Sequence, residues 1–386
     1  MTRRLIAALL LLLISAPLPA QIEGLLELQK NLINKEVTGS NVALVVRNGE
    51  VIHRKVVNSG KKGDKDITAE TLFPIWSMSK PITIVAMMTL HEKGLFDWDD
   101  PVEKYMPCFV NLTVRDGDTV RPAKEVLRVV HLMTHRSGYT YYDFMVPPSH
   151  LSVHPNQTRF QNLQEYVELA AKEPLAFEPG TQYAYGINQA ILGRLVEVLS
   201  GKSFAGYLEE TLFEPLGMSQ TGFVLDAESR ERVQPLFYNA GNIKGFTSSM
   251  LNSLTYHPDN HAHFGGEGLI STLEDYSRFC EMLVNGGNFR GRQIISAKSI
   301  ATMTKEWTPE QPSEPGYHYG FSIFVLSDPE KDNPDVPAGI YGWSGWHNTH
   351  FWIDPKTKLY ALFMSRSREF NGEIPKKMRE TIYPAK

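Results

Sequence analysis

Strand-forming runs at both ends of the chain limit the folds open to it. Residues 42–46 and 50–57 flank Asn48-Gly49, the dipeptide most typical of a tight two-residue β-hairpin. Three more runs with the composition of strands lie near the other end, at residues 321–326, 347–353 and 359–365. We therefore predict that the first and last quarters of the chain share one antiparallel β-sheet.

Between these strands the apolar residues recur at helical spacing. Helices are predicted at residues 22–34, 81–93, 162–172, 188–199, 204–212 and 271–284, and surface loops beside a cleft at 141–160 and 234–264. This order predicts an α+β fold, with an antiparallel sheet flanked by helices and an inserted, mainly helical lobe. The predicted lobes are residues 21–100 with 265–386, and residues 101–264, together forming one domain.

The first 20 residues have the pattern of an export signal. Arg3 and Arg4 precede an apolar run at residues 5–14, and small residues and prolines follow before Gln21. A transmembrane helix needs about 20 apolar residues, roughly twice the length of this run. We predict a signal peptide at residues 1–20 and a periplasmic or secreted protein without a stable membrane anchor. An uncleaved anchor is the alternative.

Composition excludes some classes of partner. The formal net charge is −4, and no basic tract is present, which argues against nucleic acid as a partner. Cys108 and Cys280 are too few for a disulfide framework. They are predicted to be free thiols, with a single bridge as the alternative.

A serine and a lysine three residues apart carry the chemical signal. On a helix, Ser77 and Lys80 would lie on one face, where an amine can activate a hydroxyl for nucleophilic attack. Bulky apolar neighbours, Trp76 and Met78, indicate a buried setting, and Pro81 is tolerated in a first helical turn. The unpaired amides at a helix start also suit an oxyanion.

The same spacing occurs at Ser59 and Lys62 in a polar loop, so the pattern alone is weak. It gains weight from an ordered series of further segments: HLMTHRSG at 131–138, PGT at 179–181, GKSF at 201–204, FEPLGM at 213–218, GLIST at 268–272 and GWSG at 342–345. In this order, residues 40–365 resemble the class C β-lactamases and penicillin-binding proteins, and most of all the family VIII carboxylesterases. The resemblance implies a β-lactamase/transpeptidase-like fold with its active site in a groove against the helical lobe, and no cofactor.

The resemblance also implies catalytic roles. Ser77 would be the nucleophile, Lys80 its base, and Tyr185, five residues after Gly180, would share the proton transfers. Tyr183 is the competing tyrosine and is interpreted as a core aromatic residue.

The backbone amides of Ser77 and Trp346 would form an oxyanion hole, with Trp343, Ser344 and Gly345 beside the substrate. Whether the Trp346 indole narrows the acyl site or packs outward is left open.

Two departures from the β-lactamase pattern bear on substrate. Ile187 stands where those enzymes have an asparagine for the substrate's acylamino group, and Trp343 stands where a cation receives a substrate carboxylate. Family VIII esterases share both features but usually have Trp-Gly-Gly, so Ser344 is a further departure. A neutral or apolar acyl group is therefore expected.

The sequence argues against two other kinds of site, a zinc site and a nucleophile elbow. His131 and His135 have zinc-binding spacing, but Leu132 stands where a metalloprotease has glutamate, so no metal is expected. The segment 342–346 approaches the nucleophile elbow of α/β-hydrolases but lacks its last glycine.

The sequence thus predicts an exported serine hydrolase that cleaves carboxylic esters. The enzymatic alternative is a D-alanyl-D-alanine carboxypeptidase or weak class C-type β-lactamase acting on peptidoglycan or β-lactams. The third is a non-catalytic relative that binds peptidoglycan or serves as a scaffold.

Overall fold

The computed structural model describes residue 22 and residues 24–141, 160–248, 256–308 and 314–383. The predicted signal peptide and most of the predicted loop at 141–160 lie outside these residues. Within the described ranges, no helix combines the length and the apolar character that a membrane crossing requires.

The helices are α1 (Leu25–Asn34), α2 (Ser79–Glu92), α3 (Val129–Met133), α4 (Leu163–Ala170), α5 (Asn188–Ser200), α6 (Phe204–Leu208), α7 (Glu214–Leu216), α8 (Ala227–Glu231), α9 (Leu273–Val284), α10 (Ala297–Met303) and α11 (Glu373–Ile382). The strands are β1 (Asn41–Arg47), β2 (Glu50–Val57), β3 (Phe73–Pro74), β4 (Thr113–Asp116), β5 (Thr119–Pro122), β6 (Leu236–Ala240), β7 (Ile243–Thr247), β8 (Ile270–Ser271), β9 (Asn288–Phe289), β10 (Arg292–Gln293), β11 (Tyr317–Tyr319), β12 (Phe324–Leu326), β13 (Tyr341–Gly345), β14 (Thr349–Asp354) and β15 (Leu359–Ser365).

The main sheet joins the two ends of the chain. Its seven strands run in the order β11-β12-β13-β14-β15-β1-β2, and every neighbouring pair is antiparallel. Asn48 and Gly49 both have positive φ angles, as a tight hairpin turn with right-handed strand twist requires. The predicted shared sheet is confirmed because β15, near the end of the chain, pairs along its length with β1.

The main core lies between this sheet and the helices. Residues 79–90 of α2 are all buried, as expected of a helix that is apolar on every side. Helix α5 packs against α2, and α9 packs against β14 and β15. The α+β architecture with a helix-flanked antiparallel sheet is confirmed; the lobe boundaries stay a prediction.

Local details differ from the sequence predictions. The helix predicted from residue 271 begins at Leu273, because the Thr272 side chain caps α9 by accepting a hydrogen bond from the Asp275 amide. Residues 236–247, predicted as loop, contain the β6–β7 hairpin. The predicted helix at 204–212 continues past α6 as a π-helical turn at Glu209–Phe213. Cys108 and Cys280, by contrast, are free thiols as predicted.

Candidate active site

Ser77 lies in a short 3₁₀ turn, Trp76–Met78, directly before α2. Trp76 has a φ of 49°, a strained value for a bulky residue, so surrounding contacts must hold it. Its indole Nε1 donates a hydrogen bond of 2.9 Å to Nδ1 of the buried His347, next to Trp346. This bond ties the Ser77 turn to the turn that follows β13.

Lys80 is 0% exposed, and three oxygen atoms of the described chain lie within hydrogen-bonding distance of its amine. Nζ lies 3.1 Å from Ser77 Oγ, 3.1 Å from the Tyr141 hydroxyl and 2.7 Å from the Gly266 carbonyl oxygen. These three oxygens match the three hydrogens of an ammonium group. The predicted one-turn juxtaposition of Ser77 and Lys80 is therefore present, within hydrogen-bonding distance.

A buried glutamate extends this cluster. The Tyr141 hydroxyl donates a hydrogen bond of 3.1 Å to Glu267 Oε2. Burial, and next the negative charge of Glu267, raise the pKa of Tyr141 well above its ordinary value. Tyr141 is thus a neutral phenol whose proton is directed at Glu267, so its oxygen faces Lys80 as an acceptor.

Tyr185 presents its ring to the lysine, with Lys80 Nζ 4.6 Å from the ring centroid. A close backbone contact sets its position, because a side chain at Gly186 would collide with the Tyr139 carbonyl oxygen. The buried His135 accepts a 3.3 Å hydrogen bond from the Gly186 amide. Burial, and next the charge of Lys80, lower the pKa of His135 well below its ordinary value, which favours the neutral ring that accepts this bond.

Strand β13 brings the GWSG segment, residues 342–345, close to the Ser77 turn. A side chain at Gly345 would collide with the carbonyl oxygen of Ile75, so only glycine lets the strand end approach this closely. Trp346 is 48% exposed and lines the cavity next to Gly345.

Ser344 has a buried histidine as its partner. His350 lies opposite Ser344 on β14, and its Nδ1 is 2.8 Å from Ser344 Oγ. Burial lowers the pKa of His350 to about 3, so the ring is neutral at physiological pH. No described group pairs with its Nε2. The tautomer that donates from Nδ1 avoids a buried, unpaired N–H and leaves the Ser344 proton free for the cavity.

These elements enclose a cavity of about 270 Å³ that holds most of the predicted site residues. Of the lining side chains that the structure describes, six are aromatic, one is acidic and none is basic. The lining residues are Ser77, Tyr185, Glu314, Tyr319, Phe324, Trp343, Ser344, Gly345, Trp346 and Phe370.

Other residues weighed in the sequence lie in structural settings. Tyr183 stacks on Tyr319 at 5.0 Å between ring centroids. Ile187 is buried at the start of α5. His131 Nδ1 accepts a hydrogen bond from the Arg128 amide. Ser59 of the second serine–lysine pair donates to Asp64.

The sequence alone did not identify Tyr141, Glu267 or Glu314 as site residues. Tyr141 follows the HLMTHRSG segment and Glu267 precedes GLIST, so both adjoin segments that carried the resemblance. Their position next to a motif was the available signal. The contacts themselves join distant parts of the chain: Tyr141 is 61 residues from Lys80, and Gly266, the neighbour of Glu267, is 186 residues from it. No local pattern encodes contacts of that range.

The chain matches a known protein family. A sequence profile of the β-lactamase family matches residues 29–380. The chain belongs to the β-lactamase family. This β-lactamase-family protein is a serine hydrolase, and the predicted kinship with family VIII esterases is confirmed.

The β-lactamase-family relatives include an esterase and a peptidase. Esterase EstB of Burkholderia gladioli is 24% identical over 389 residues, covering 96% of each chain. A putative D-alanyl-D-alanine carboxypeptidase of Escherichia coli K12 is 24% identical over 351 residues, covering 83% of this chain and 77% of that protein.

Among solved structures, EstCE1, a hydrolase with promiscuous acyltransferase activity, superposes with a TM-score of 0.79 at 19% identity. The alignment covers 93% of this chain and 97% of EstCE1. At this identity the match supports the shared fold.

Proposed function

We propose that this protein hydrolyses carboxylic esters through an acyl-enzyme intermediate on Ser77. The observation that carries the proposal is the 3.1 Å contact between Ser77 Oγ and the buried Lys80 Nζ, at the edge of an aromatic cavity. A hydroxyl needs a neighbouring base to become a nucleophile, and Lys80 is within reach of its proton.

Hydrogen-bond counting explains how Lys80 can accept that proton. A neutral amine has two N–H donors and one lone pair. The Gly266 carbonyl can only accept, and the Tyr141 oxygen accepts because its own proton goes to Glu267. Both N–H groups are thereby used, and the lone pair is left facing Ser77. Tyr141 and Glu267 are thus positioning residues for the base.

The reaction then proceeds in two steps, acylation and deacylation. In acylation, Ser77 Oγ bonds to the ester carbonyl carbon, its proton passes to Lys80, and the bond to the alcohol oxygen breaks. Lys80 then gives this proton to the departing alcohol; Tyr185, to which the family resemblance assigns a share of this transfer, lines the cavity with its ring facing Lys80. In deacylation, a water oxygen bonds to the acyl carbon and gives a proton to Lys80, the bond between the acyl carbon and Ser77 Oγ breaks, and Lys80 returns the proton to Ser77 Oγ. The amides of Ser77 and Trp346 stabilise the oxyanion in both steps.

The cavity favours an ester over an anionic β-lactam or peptide. No lining residue in the described ranges is basic, and Trp343 occupies the wall where a carboxylate-binding cation would be needed. The buried Ile187 offers no amide to an acylamino group, and the amide of Asn188 is engaged by Ser137 and His135. The likeness to Esterase EstB supports the same assignment. The proposed setting is periplasmic or secreted, after removal of residues 1–20.

Parallel assays on an ester and a β-lactam test the assignment. We expect kcat/KM for 4-nitrophenyl butyrate to exceed that for a chromogenic cephalosporin by on the order of 100-fold or more, because an unmatched buried charge costs several kcal/mol. A fluorophosphonate probe should label Ser77, as checked by peptide mass. Faster cephalosporin turnover would favour the β-lactamase alternative, and no adduct at Ser77 would favour a non-catalytic binder.

Removing the Tyr141 hydroxyl tests the positioning of the base. In Tyr141→Phe, Lys80 loses an acceptor and Glu267 loses a donor, so we expect kcat to fall about 10- to 100-fold, less than the roughly 10²- to 10⁴-fold loss on removing a general base itself. KM should change little, since Tyr141 is not among the cavity-lining residues. Tyr139→Phe, two residues away, is the matched control. An equal loss of kcat in both variants would contradict this role.

A further inference from the structure

The aromatic residues of the cavity form a connected group around Trp343. The Trp343 ring lies 5.7 Å from that of Tyr319, 5.9 Å from that of Tyr185 and 6.5 Å from that of Phe324, measured between centroids. Trp346 and Phe370, both partly exposed, complete the cavity at its mouth. Aromatic faces carry partial negative charge and attract cations.

One carboxylate lies in this aromatic wall. Glu314 lines the cavity and accepts a hydrogen bond from the Tyr319 hydroxyl. Among the described residues, no basic group forms an ion pair with the Glu314 carboxylate, and none lines the cavity that Glu314 faces.

We propose that the cavity selects esters bearing an ammonium group, which would lie between the aromatic rings and the Glu314 carboxylate. The inference rests on the proposed ester hydrolase activity and adds the substrate class. The reacting carbonyl lies at Ser77, and the positively charged end of the substrate extends along Trp343 and Tyr319 toward Glu314.

The charge of the substrate distinguishes this site from a generally apolar pocket. Glu314 is exposed to solvent and needs no countercharge, but an ammonium group in the cavity can pair with it, whereas a purely apolar substrate cannot. An anionic substrate would meet the ring faces and the carboxylate, which both repel it. Lys80 is not among the described cavity-lining residues, and the proposed base is a neutral amine, so it does not repel a substrate cation.

Matched esters that differ only in charge test the proposal. On the acyl side, the probes are 4-nitrophenyl esters of 4-(trimethylammonio)butanoate, of its neutral isostere 5,5-dimethylhexanoate, and of glutarate. On the alcohol side they are butyrylthiocholine and its neutral isostere S-(3,3-dimethylbutyl) thiobutyrate. In at least one series we expect the cationic ester to exceed its neutral isostere in kcat/KM by about 5- to 10-fold, in line with cation–π attraction and one ion pair. The glutarate ester should be the poorest acyl substrate.

The Glu314→Gln variant identifies the source of the preference. We expect the cationic-to-neutral ratio of kcat/KM to fall about three- to fivefold, as for loss of a partly exposed ion pair. Glu50→Gln makes the same charge change on β2, at the opposite edge of the sheet from β11 and β12, and should leave the ratio unchanged. Raising the salt concentration to 0.5 M should reduce the wild-type ratio.

The outcomes separate this inference from the proposed function. Equal turnover of cationic, neutral and anionic esters, or an unchanged ratio in Glu314→Gln, would overturn the cation site while leaving the esterase assignment intact. No turnover of any ester together with no fluorophosphonate adduct on Ser77 would overturn both.

Discussion

Replacing Ser77 with alanine is expected to lower kcat/KM for 4-nitrophenyl butyrate by on the order of 10⁵-fold, comparable to removing the nucleophile of other serine hydrolases. The Ser77 hydroxyl is the group that would form the acyl bond, and its described side-chain hydrogen bond is the one from Lys80. Alanine removes the bond-forming atom and leaves the cavity walls in place. Steady-state kinetics and loss of the fluorophosphonate adduct are the two measurements.

Ser59→Ala is the matched control, since Ser59 precedes Lys62 with the same spacing in a polar loop. Its hydroxyl donates to Asp64, so we expect a stability loss of about 1 kcal/mol with kcat/KM retained. Thermal unfolding of both variants checks folding. If Ser77→Ala retained more than about a hundredth of wild-type activity, a different nucleophile would have to be sought.

Replacing Lys80 with methionine is expected to lower kcat/KM by about 10³- to 10⁴-fold, the upper range for loss of a general base. Methionine has a similar length but cannot accept a proton from Ser77. The change also leaves the Gly266 carbonyl and the buried Tyr141–Glu267 pair without their cation, so we expect some loss of stability.

Two measurements separate a chemical effect from misfolding in Lys80→Met. Circular dichroism and thermal unfolding report the fold, and the rate of fluorophosphonate labelling reports the nucleophilicity of Ser77 directly. A folded variant with slow labelling supports Lys80 as the base, whereas wild-type labelling in a folded variant contradicts it. Lys62→Met, on the exposed loop, is the control that should label at the wild-type rate.

Local sequence determined the parts of the fold that short-range physics controls. Asn48-Gly49 specifies its hairpin because both residues tolerate positive φ, and the structure has such a turn. The predicted strand at 359–365 and the helix starting at Asn188 match the structure because their apolar patterns are continuous. The spacing of Ser77 and Lys80 likewise brings hydroxyl and amine together within one turn.

Tertiary structure alone decided the surroundings of that pair. The sequence assigned a second proton-transfer role to Tyr185, yet the hydroxyl that contacts Lys80 is that of Tyr141, which is 61 residues away in the chain. β13 was missed as a strand because Tyr-Gly-Trp-Ser-Gly has little apolar alternation, and its pairing with β14 places Ser344 opposite His350.

The environment of Glu314 also comes from the folded chain. Its place among aromatic residues results from the assembly of β11, β12 and β13 at one edge of the sheet. Turn residues, helix periods and i, i+3 neighbours act over a few residues and can be read directly from the sequence. Acceptors around an amine and charges in a cavity depend on contacts between distant segments, which only packing of the whole chain establishes.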